Sequence, residues 1–216
     1  MNYRVASLGF LSFGNEVVPG NAGLYDQLLA LKWVKENIAA FGGDINRITL
    51  FGESAGAVSV GFHLFSPLSQ GLFTRAILQS GYITAPWGFH DNATARRSAM
   101  ALAKTFNCSE ALNNDTLQCL LEKNASDIVQ NETWWGGVVD FPFVPVQDGK
   151  LIPNSTEVMS SDANFTSNTT VLLGSNANEG SYFLEYFLGL PANSTPPNVT
   201  AVNFTAVIRA LNPVYG

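Results

Sequence analysis

The residues Gly52-Glu53-Ser54-Ala55-Gly56 form a G-x-S-x-G pattern, with one serine at its centre. A serine hydroxyl in this pattern can attack a carbonyl carbon when a sharp strand-to-helix turn lifts it above a sheet. Residues 47–51 are rich in β-branched and aromatic types, and residues 57–60 can open a helix. The pattern therefore predicts that Ser54 is a nucleophile. The alternative is an ordinary glycine-rich turn between a strand and a helix.

A carboxylate follows a later apolar segment of the chain. A serine hydroxyl is a weak nucleophile near neutral pH, so it needs a histidine base, which a carboxylate orients. Glu179 comes after a short buried strand predicted at 171–174 and directly before Gly180. The carboxyl ends of strands in open α/β sheets are where active sites lie. Glu179 is therefore the candidate triad acid, and a surface loop carboxylate is the alternative.

The chain has only two histidines, His63 and His90, and both precede Glu179. His63 lies nine residues after Ser54, on a predicted helix that leads away from the site at about 1.5 Å per residue. His90 lies in a predicted loop. We interpret both as structural residues, so the catalytic base is expected beyond Gly216.

The hydrophobic pattern predicts alternating strands and helices. Strand, helix and strand at this spacing are typical of an α/β fold with a parallel sheet. We expect the apolar face of the first long helix to pack on the sheet and Trp33 to lie in the core beside it. The predicted strands are 3–11, 47–51, 75–79 and 171–174, and the predicted helices are 24–41, 55–65 and 95–106.

Composition restricts the class of protein. The chain has 216 residues, of which 46% are hydrophobic and 13% charged, so it can bury a sizeable core. Its net charge of −6 argues against nucleic acid as a partner, because a phosphate-binding surface would be basic. An acidic surface can steer cationic substrates, and it can equally serve solubility alone.

Several motifs occur together in a characteristic order. Beside the serine pattern stand Pro19-Gly20-Asn21-Ala22-Gly23-Leu24-Tyr25-Asp26-Gln27, Phe41-Gly42-Gly43-Asp44 and Ala76-Ile77-Leu78-Gln79-Ser80-Gly81. As a set they resemble the type-B carboxylesterase and cholinesterase family of α/β-hydrolases. The resemblance implies a central, mostly parallel sheet flanked by helices. It also implies a serine ester hydrolase that forms an acyl-enzyme and uses no cofactor or metal.

The resemblance also bears on the extent of the chain. The family carries a glycine-rich oxyanion loop and a choline-binding tryptophan before the position of Tyr3, and its triad histidine after the last residue here. Residues 1–216 are therefore expected to be part of a single α/β-hydrolase domain, truncated at both ends, and inactive alone. The small-molecule substrate is expected to be an ester, and specifically a choline ester. Homo-oligomer formation and membrane attachment would depend on segments outside this chain.

Two further site residues follow from the serine pattern: the N–H of Ala55 is an oxyanion donor, and Glu53 adjoins the nucleophile. Glu53 is either a buried carboxylate that favours cationic substrates or a structural residue. The others follow from the resemblance alone. Ser80 matches a serine that supports the triad acid. Trp87, Val139 and Phe141 fall where the family lines its acyl pocket. Some vertebrate members carry a bulkier aromatic in place of Val139, so a larger acyl group is expected to fit here.

Asparagines and cysteines indicate the compartment. Eleven of the fifteen asparagines after residue 91 begin an N-x-S/T triplet, whereas none of the five before it does. That pattern predicts an extracellular glycoprotein. Cys108 and Cys119 are the only cysteines, and in an oxidising compartment they should form a disulfide; the family pairs cysteines here. The triplets begin at Asn92, Asn107, Asn114, Asn124, Asn131, Asn154, Asn164, Asn168, Asn193, Asn198 and Asn203.

Two other functions stay open from the sequence. A general carboxylesterase would share the same chemistry but act on uncharged esters. A cholinesterase-like adhesion protein would use the fold for binding at a cell surface, and such relatives commonly lack the serine of the pattern. The intact serine pattern together with Glu179 argues against the adhesion protein.

Overall fold

A computed structural model describes residues 1–132, 141–153 and 168–180. The chain forms two compact units, one of Met1–Thr133 with Pro142–Gly174 and the other of Trp134–Phe141 with Ser175–Gly216. All helices and strands named below belong to the first unit. Among the described residues, no helix combines the length and hydropathy needed to cross a bilayer.

A parallel sheet of three strands lies in the first unit, and their order in space follows their order in the chain. The strands are β1 (Thr49–Glu53), β2 (Arg75–Gln79) and β3 (Thr170–Gly174). Glu53, Gln79 and Gly174 are aligned across the sheet, so all three strands end at one level. The predicted α/β class is confirmed. The prediction placed the β1 strand two residues too early.

The longest helix, α2 (Ala22–Asn37), precedes β1 and continues as a 3-10 turn at Ile38–Phe41. Its apolar stripe is buried. Leu31 joins the core cluster that contains sheet residues, as expected, whereas Leu28 belongs to a separate cluster whose described members lie outside the sheet. The chain leaves the turn at Gly42, whose φ of 79° suits glycine.

Trp33 is not a core residue, contrary to the prediction. Its side chain is 52% exposed and contacts the Phe41 ring, with the ring centroids 6.0 Å apart. Trp33 follows the buried Leu31 by two positions, and residues two apart lie on opposite sides of a helix. The stripe and the tryptophan therefore cannot share one face.

Helix α3 (Ala55–Phe65) connects β1 to β2 and is buried on all sides. Its Val58 and Phe62 belong to a core cluster with Leu24 and Leu28 of α2. Three other α3 residues join a second cluster with the sheet: Ala57, Val60 and Leu64. A helix that is apolar around its whole circumference lies in a protein interior. Because α3 is fixed in the core in this way, it also fixes the position of Ser54, the residue directly before it.

The first helix is an unexpected element. Residues 3–11 were predicted as a strand, but Ala6–Phe10 form the short helix α1. The N–H of Ser7 donates to Glu132 Oε1 at 2.8 Å, and Arg4 pairs with Asp26. A Cβ at Gly9 would lie 2.2 Å from the Arg4 carbonyl oxygen. Short apolar runs do not distinguish strand from helix by period, and tertiary contacts decide here.

A buried asparagine joins the start of α2 to the segment at 141–153. The side chain of Asn21 donates from Nδ2 to the Val146 carbonyl at 2.7 Å and accepts from the Val146 N–H at 2.8 Å. Asn21 adopts a left-handed backbone with φ of 61° and is fully buried. We call this pair of bonds the Asn21 clamp.

Three capped helices lie between β2 and β3 in the chain: α4 (Asn92–Thr105), α5 (Asn114–Leu121) and α6 (Ala125–Gln130). Side chains of Asp91, Asn113 and Asn124 cap them, each accepting a backbone N–H bond. The predicted Cys108–Cys119 disulfide closes the connection between α4 and α5. Such a closure contributes about 2–3 kcal/mol.

Six triplet asparagines lie in the described residues, and every one is exposed. Their exposure is compatible with glycans, which must project from the surface. They are Asn92, Asn107, Asn114, Asn124, Asn131 and Asn168. The triplets at Asn154, Asn164, Asn193, Asn198 and Asn203 lie outside the described residues.

Candidate active site

Ser54 occupies a sharp turn between β1 and α3. Its backbone is left-handed, with φ of 55° and ψ of −119°, which is unusual for a residue with a Cβ. Two bonds hold this conformation: the Ser54 N–H donates to the Gln79 carbonyl at 2.9 Å, and its carbonyl accepts from the Val58 N–H at 3.0 Å. The predicted order of strand, turn and helix is confirmed.

Close packing explains two glycines around this turn. A Cβ on Gly52 would lie 2.3 Å from the Gly56 carbonyl carbon, and one on Gly81 would lie 2.4 Å from the Ser54 carbonyl oxygen. Gly56 differs, because no described atom lies within 4 Å of where its Cβ would be. Close approach of backbone therefore requires a glycine at position 52 but not at position 56. Of the two pattern glycines, only at Gly52 would an added Cβ meet the backbone of another segment.

Ala55 is the first residue of α3, directly after Ser54. The first N–H groups of a helix have no acceptor within the helix, and the dipole makes that end positive. An anion formed beside Ser54 would meet both features. Ala55 therefore has the position that an oxyanion donor needs. Glu53 is exposed in the described structure, so the expectation of a buried carboxylate there is wrong.

Ser80 occupies the equivalent position at the end of β2. It also has a left-handed backbone, with φ of 54°, and its N–H donates to the Gly174 carbonyl at 2.8 Å. Ser54 and Ser80 thus follow neighbouring strands at one edge of the sheet. The structure brings Ser54, Ala55, Glu53 and Ser80 together at this edge.

Glu179 belongs to the second unit and is exposed. Its Oε1 accepts from the Asn176 N–H at 2.6 Å, and its Oε2 lies 3.5 Å from Asn176 Nδ2. Glu179 lies in a turn at residues 177–180, five residues after Gly174 in the chain. Two strand spacings, about 10 Å, separate the ends of β3 and β1 within the sheet.

The residues predicted for the acyl pocket fall in different places. Trp87 is half-buried and packs against the core cluster that contains Val58 and Phe62. Phe141 is half-buried and belongs to the second unit. Val139 lies outside the described residues. The pocket itself therefore remains a prediction.

Both histidines take part in structural contacts. His63 is 1% exposed, with Nδ1 2.8 Å from Ser69 Oγ and Nε2 3.0 Å from Gln27 Oε1. Burial lowers the pKa of His63 to about 4. His90 donates its backbone N–H to the Pro145 carbonyl at 3.0 Å. These contacts agree with the structural role inferred for both.

Sequence reasoning missed a buried polar chain that starts at His63. Gln27 Nε2 donates to Ser59 Oγ at 3.2 Å, and Ser59 Oγ donates to the Ala55 carbonyl at 2.9 Å. Ala55, Ser59 and His63 follow at intervals of four on α3, and Gln27 lies within the apolar stripe of α2. The four-residue spacing of Ser59 and His63, which puts them on one face of α3, is the sequence signal from which this network could have been predicted.

His63 should make the protein sensitive to mild acid. Above its usual pKa of 6.5 the ring is neutral in both the folded and unfolded states. Between pH 6.5 and 4 only the unfolded state gains the proton, so the free energy of unfolding falls by up to about 3 kcal/mol. Its hydrogen-bond partners, Gln27 and Ser69, are neutral.

Unfolding by urea at a series of pH values measures this effect. His63→Gln cannot titrate, so the difference in free energy of unfolding between wild type and variant isolates the histidine. We expect that difference to change by about 1.4 kcal/mol per pH unit below pH 6.5 and to level off below pH 4. A difference that stays constant with pH would contradict the buried neutral ring.

Comparison with known proteins shows the family of the chain. The model of the carboxylesterase family matches residues 1–209. Acetylcholinesterase of Electrophorus electricus is 48% identical over 191 residues, which are 86% of this chain and 30% of the relative. Cholinesterase 2 of Branchiostoma lanceolatum is 46% identical over 187 residues, which are 86% of this chain and 55% of the relative. Acetylcholinesterase of Myxine glutinosa is 50% identical over 192 residues, which are 86% of this chain and 56% of the relative. The chain thus spans between about a third and just over half of these curated relatives.

Proposed function

Because the chain belongs to the carboxylesterase family, we propose that it is part of a serine ester hydrolase whose nucleophile is Ser54. The observation that carries this proposal is the left-handed backbone of Ser54 between β1 and α3. A strained residue held by its surroundings is a feature of functional sites. A glycine would adopt that backbone at lower cost, so a serine there needs a chemical reason.

The proposed mechanism is acyl transfer through a serine ester. Ser54 Oγ attacks the ester carbonyl carbon while its proton passes to an imidazole, and the Ala55 N–H binds the oxyanion that forms. The imidazolium then protonates the leaving alcohol, which gives an acyl-enzyme. Water releases the acid by the same steps in reverse order. We assign Glu179 as the carboxylate that orients this imidazole, and Ser80 as its support.

We infer that the substrate is a choline ester. Relatives at 46–50% identity carry the names acetylcholinesterase and cholinesterase. The net charge of −6 favours the approach of cations, and the exposed Glu53 adds a negative charge beside the nucleophile. Trp87, Val139 and Phe141 are proposed to line the acyl pocket, with room for an acyl group larger than acetyl. A general carboxylesterase remains the second candidate.

We further propose that the domain continues beyond both ends of this chain, because the relatives are longer. The catalytic histidine would lie in the C-terminal continuation. The disulfide and the exposed triplets support a secreted or extracellular glycoprotein. Homo-oligomer contacts and any membrane anchor would come from segments outside residues 1–216.

The test is covalent labelling of the protein made from its complete reading frame. An uncharged organophosphonate should give a single adduct, on the tryptic peptide that contains Ser54. Ser54→Ala should give none, and Ser98→Ala, which alters a buried serine of α4, should label like wild type. Absence of an adduct on the folded wild-type protein would refute the esterase and favour an adhesion protein.

Substrate class needs a second measurement. We compare kcat/KM for butyrylcholine with that for its uncharged carbon isostere, at low and high ionic strength. A cholinesterase should prefer the cation, and the preference should shrink with salt because screening weakens steering. Equal kcat/KM values at both salt concentrations would favour the general carboxylesterase.

A further inference from the structure

We propose that Gln27, Ser59 and His63 are positioning residues that hold the first turn of α3, and with it the Ala55 N–H, in the orientation that an oxyanion requires. The inference rests on the proposed function, since it assigns Ala55 a role in ester hydrolysis. It concerns residues that touch no substrate and act through the backbone next to the nucleophile.

The hydrogen bonds of the network formed by Gln27, Ser59, His63 and Ser69 all donate in the same direction. The single proton of Ser59 Oγ goes to the Ala55 carbonyl, so Ser59 Oγ accepts from Gln27 Nε2. The Gln27 amide oxygen then faces His63 Nε2, which must carry the ring proton. His63 Nδ1 is left to accept from the Ser69 hydroxyl. Donors pointing the same way polarise one another, and the whole series ends on the Ala55 carbonyl.

The side chains around this hydrogen-bonded network are otherwise apolar. Gln27, Ser59, His63 and Ser69 are all buried, beside core residues such as Leu28, Val58 and Phe62. Apolar side chains of similar volume often replace a buried polar network without loss of stability. Packing alone therefore does not require these residue types. A fixed orientation at the far end of the network would require them.

The start of α3 packs against β1 on one side, where a Cβ on Gly52 would lie 2.3 Å from the Gly56 carbonyl carbon, and it is open on the other side. Ala55 is exposed, and no described atom lies within 4 Å of a Cβ built on Gly56. Glycine also loosens a helix, by about 1 kcal/mol relative to alanine. The bond from Ser59 Oγ to the Ala55 carbonyl spans this loose turn. Together with the bond from Val58 N–H to the Ser54 carbonyl, it fixes two successive peptide planes.

The competing explanation is that the network only attaches α2 to α3. In that case its loss would lower stability and leave catalysis unchanged. If the network positions Ala55, its loss should lower kcat more than it raises KM, because oxyanion contacts form in the transition state. The two explanations therefore differ in a measurable quantity.

The experiment uses the protein made from its complete reading frame and measures kcat, KM and Tm on one ester. Ser59→Ala removes the final bond, and Gln27→Leu breaks the middle of the network with a side chain of similar volume. We expect each variant to lower kcat about 10-fold with KM changed less than about 2-fold. Ser59→Thr, which keeps the hydroxyl, should restore kcat to within about 2-fold.

Ser98→Ala is the matched control. Ser98 is also a buried helical serine, and its hydroxyl has no hydrogen-bond partner among the described residues. Its kcat and KM should equal those of wild type. A wild-type kcat in Ser59→Ala or in Gln27→Leu, with lowered Tm, would overturn the positioning role and leave the esterase standing. A wild-type protein that neither turns over ester nor labels at Ser54 would overturn both.

Discussion

Gly52→Ala should lower the free energy of unfolding by about 3–4 kcal/mol, whereas Gly56→Ala, four residues later, should raise it by about 0.5 kcal/mol. The new methyl group at Gly52 would lie 2.3 Å from the Gly56 carbonyl carbon and 2.4 Å from its oxygen. Both atoms are backbone, so no side chain can rotate to make room. The methyl group at Gly56 meets no atom and stiffens a helix.

The pair of variants is matched, since both add one methyl group to the same motif. Guanidinium unfolding measures the free energies, and organophosphonate labelling reports whether Ser54 stays reactive. We expect the Gly52 variant to lose labelling as well, because relieving the clash moves the turn. Equal free energies of unfolding for the two variants would show that the described approach of Gly52 to α3 is wrong.

Asn21→Ala should cost about 4 kcal/mol, because it breaks the Asn21 clamp in two ways. It leaves a buried N–H and a buried carbonyl of Val146 without their partners, at about 1–3 kcal/mol each. It also places a Cβ residue without a compensating side chain at φ of 61°, which costs about 1 kcal/mol. Urea unfolding of the variant and wild type gives the total.

Two variants separate these contributions. Asn21→Gly loses the same hydrogen bonds as Asn21→Ala but avoids the backbone penalty of alanine. Its free energy of unfolding should therefore be about 1 kcal/mol higher than that of Asn21→Ala. Asn15→Ala is the matched surface case, since Asn15 also makes bonds through both side-chain atoms but is exposed. It should cost less than about 1 kcal/mol. A loss at Asn15 as large as that at Asn21 would contradict the role of burial.

The sequence predicts most of the regular elements, although β3, which was expected to be buried, is largely exposed. The residues of β2 and α3 are predicted at their observed bounds, because apolar residues with clear glycine and proline boundaries specify them. The same local signals place Ser54 at the turn, since strand, glycine pattern and helix are adjacent in the chain. The disulfide also follows from the sequence, since only two cysteines exist.

Long-range contacts decide what the sequence does not predict. Residues 6–10 form α1 instead of a strand because Ser7 bonds to Glu132, a partner 125 residues away. The Asn21 clamp spans the same number of residues. The His63 network joins two helices through side chains whose polar character gives no hint of their partner. The relation of Glu179 to Ser54 depends on tertiary structure in the same way, so the triad remains a proposal.

The alignment of the three strand ends restricts how this gene can change in length. Glu53, Gln79 and Gly174 stand level, and Ser54 and Ser80 follow immediately. Deleting one residue within β2 would draw Ser80 back by about 3.3 Å and turn its side chain to the opposite face. Insertions and deletions among related genes should therefore be confined to the connecting segments, such as 66–74 and 84–91, and absent from the strands and from Ser54 and Ser80.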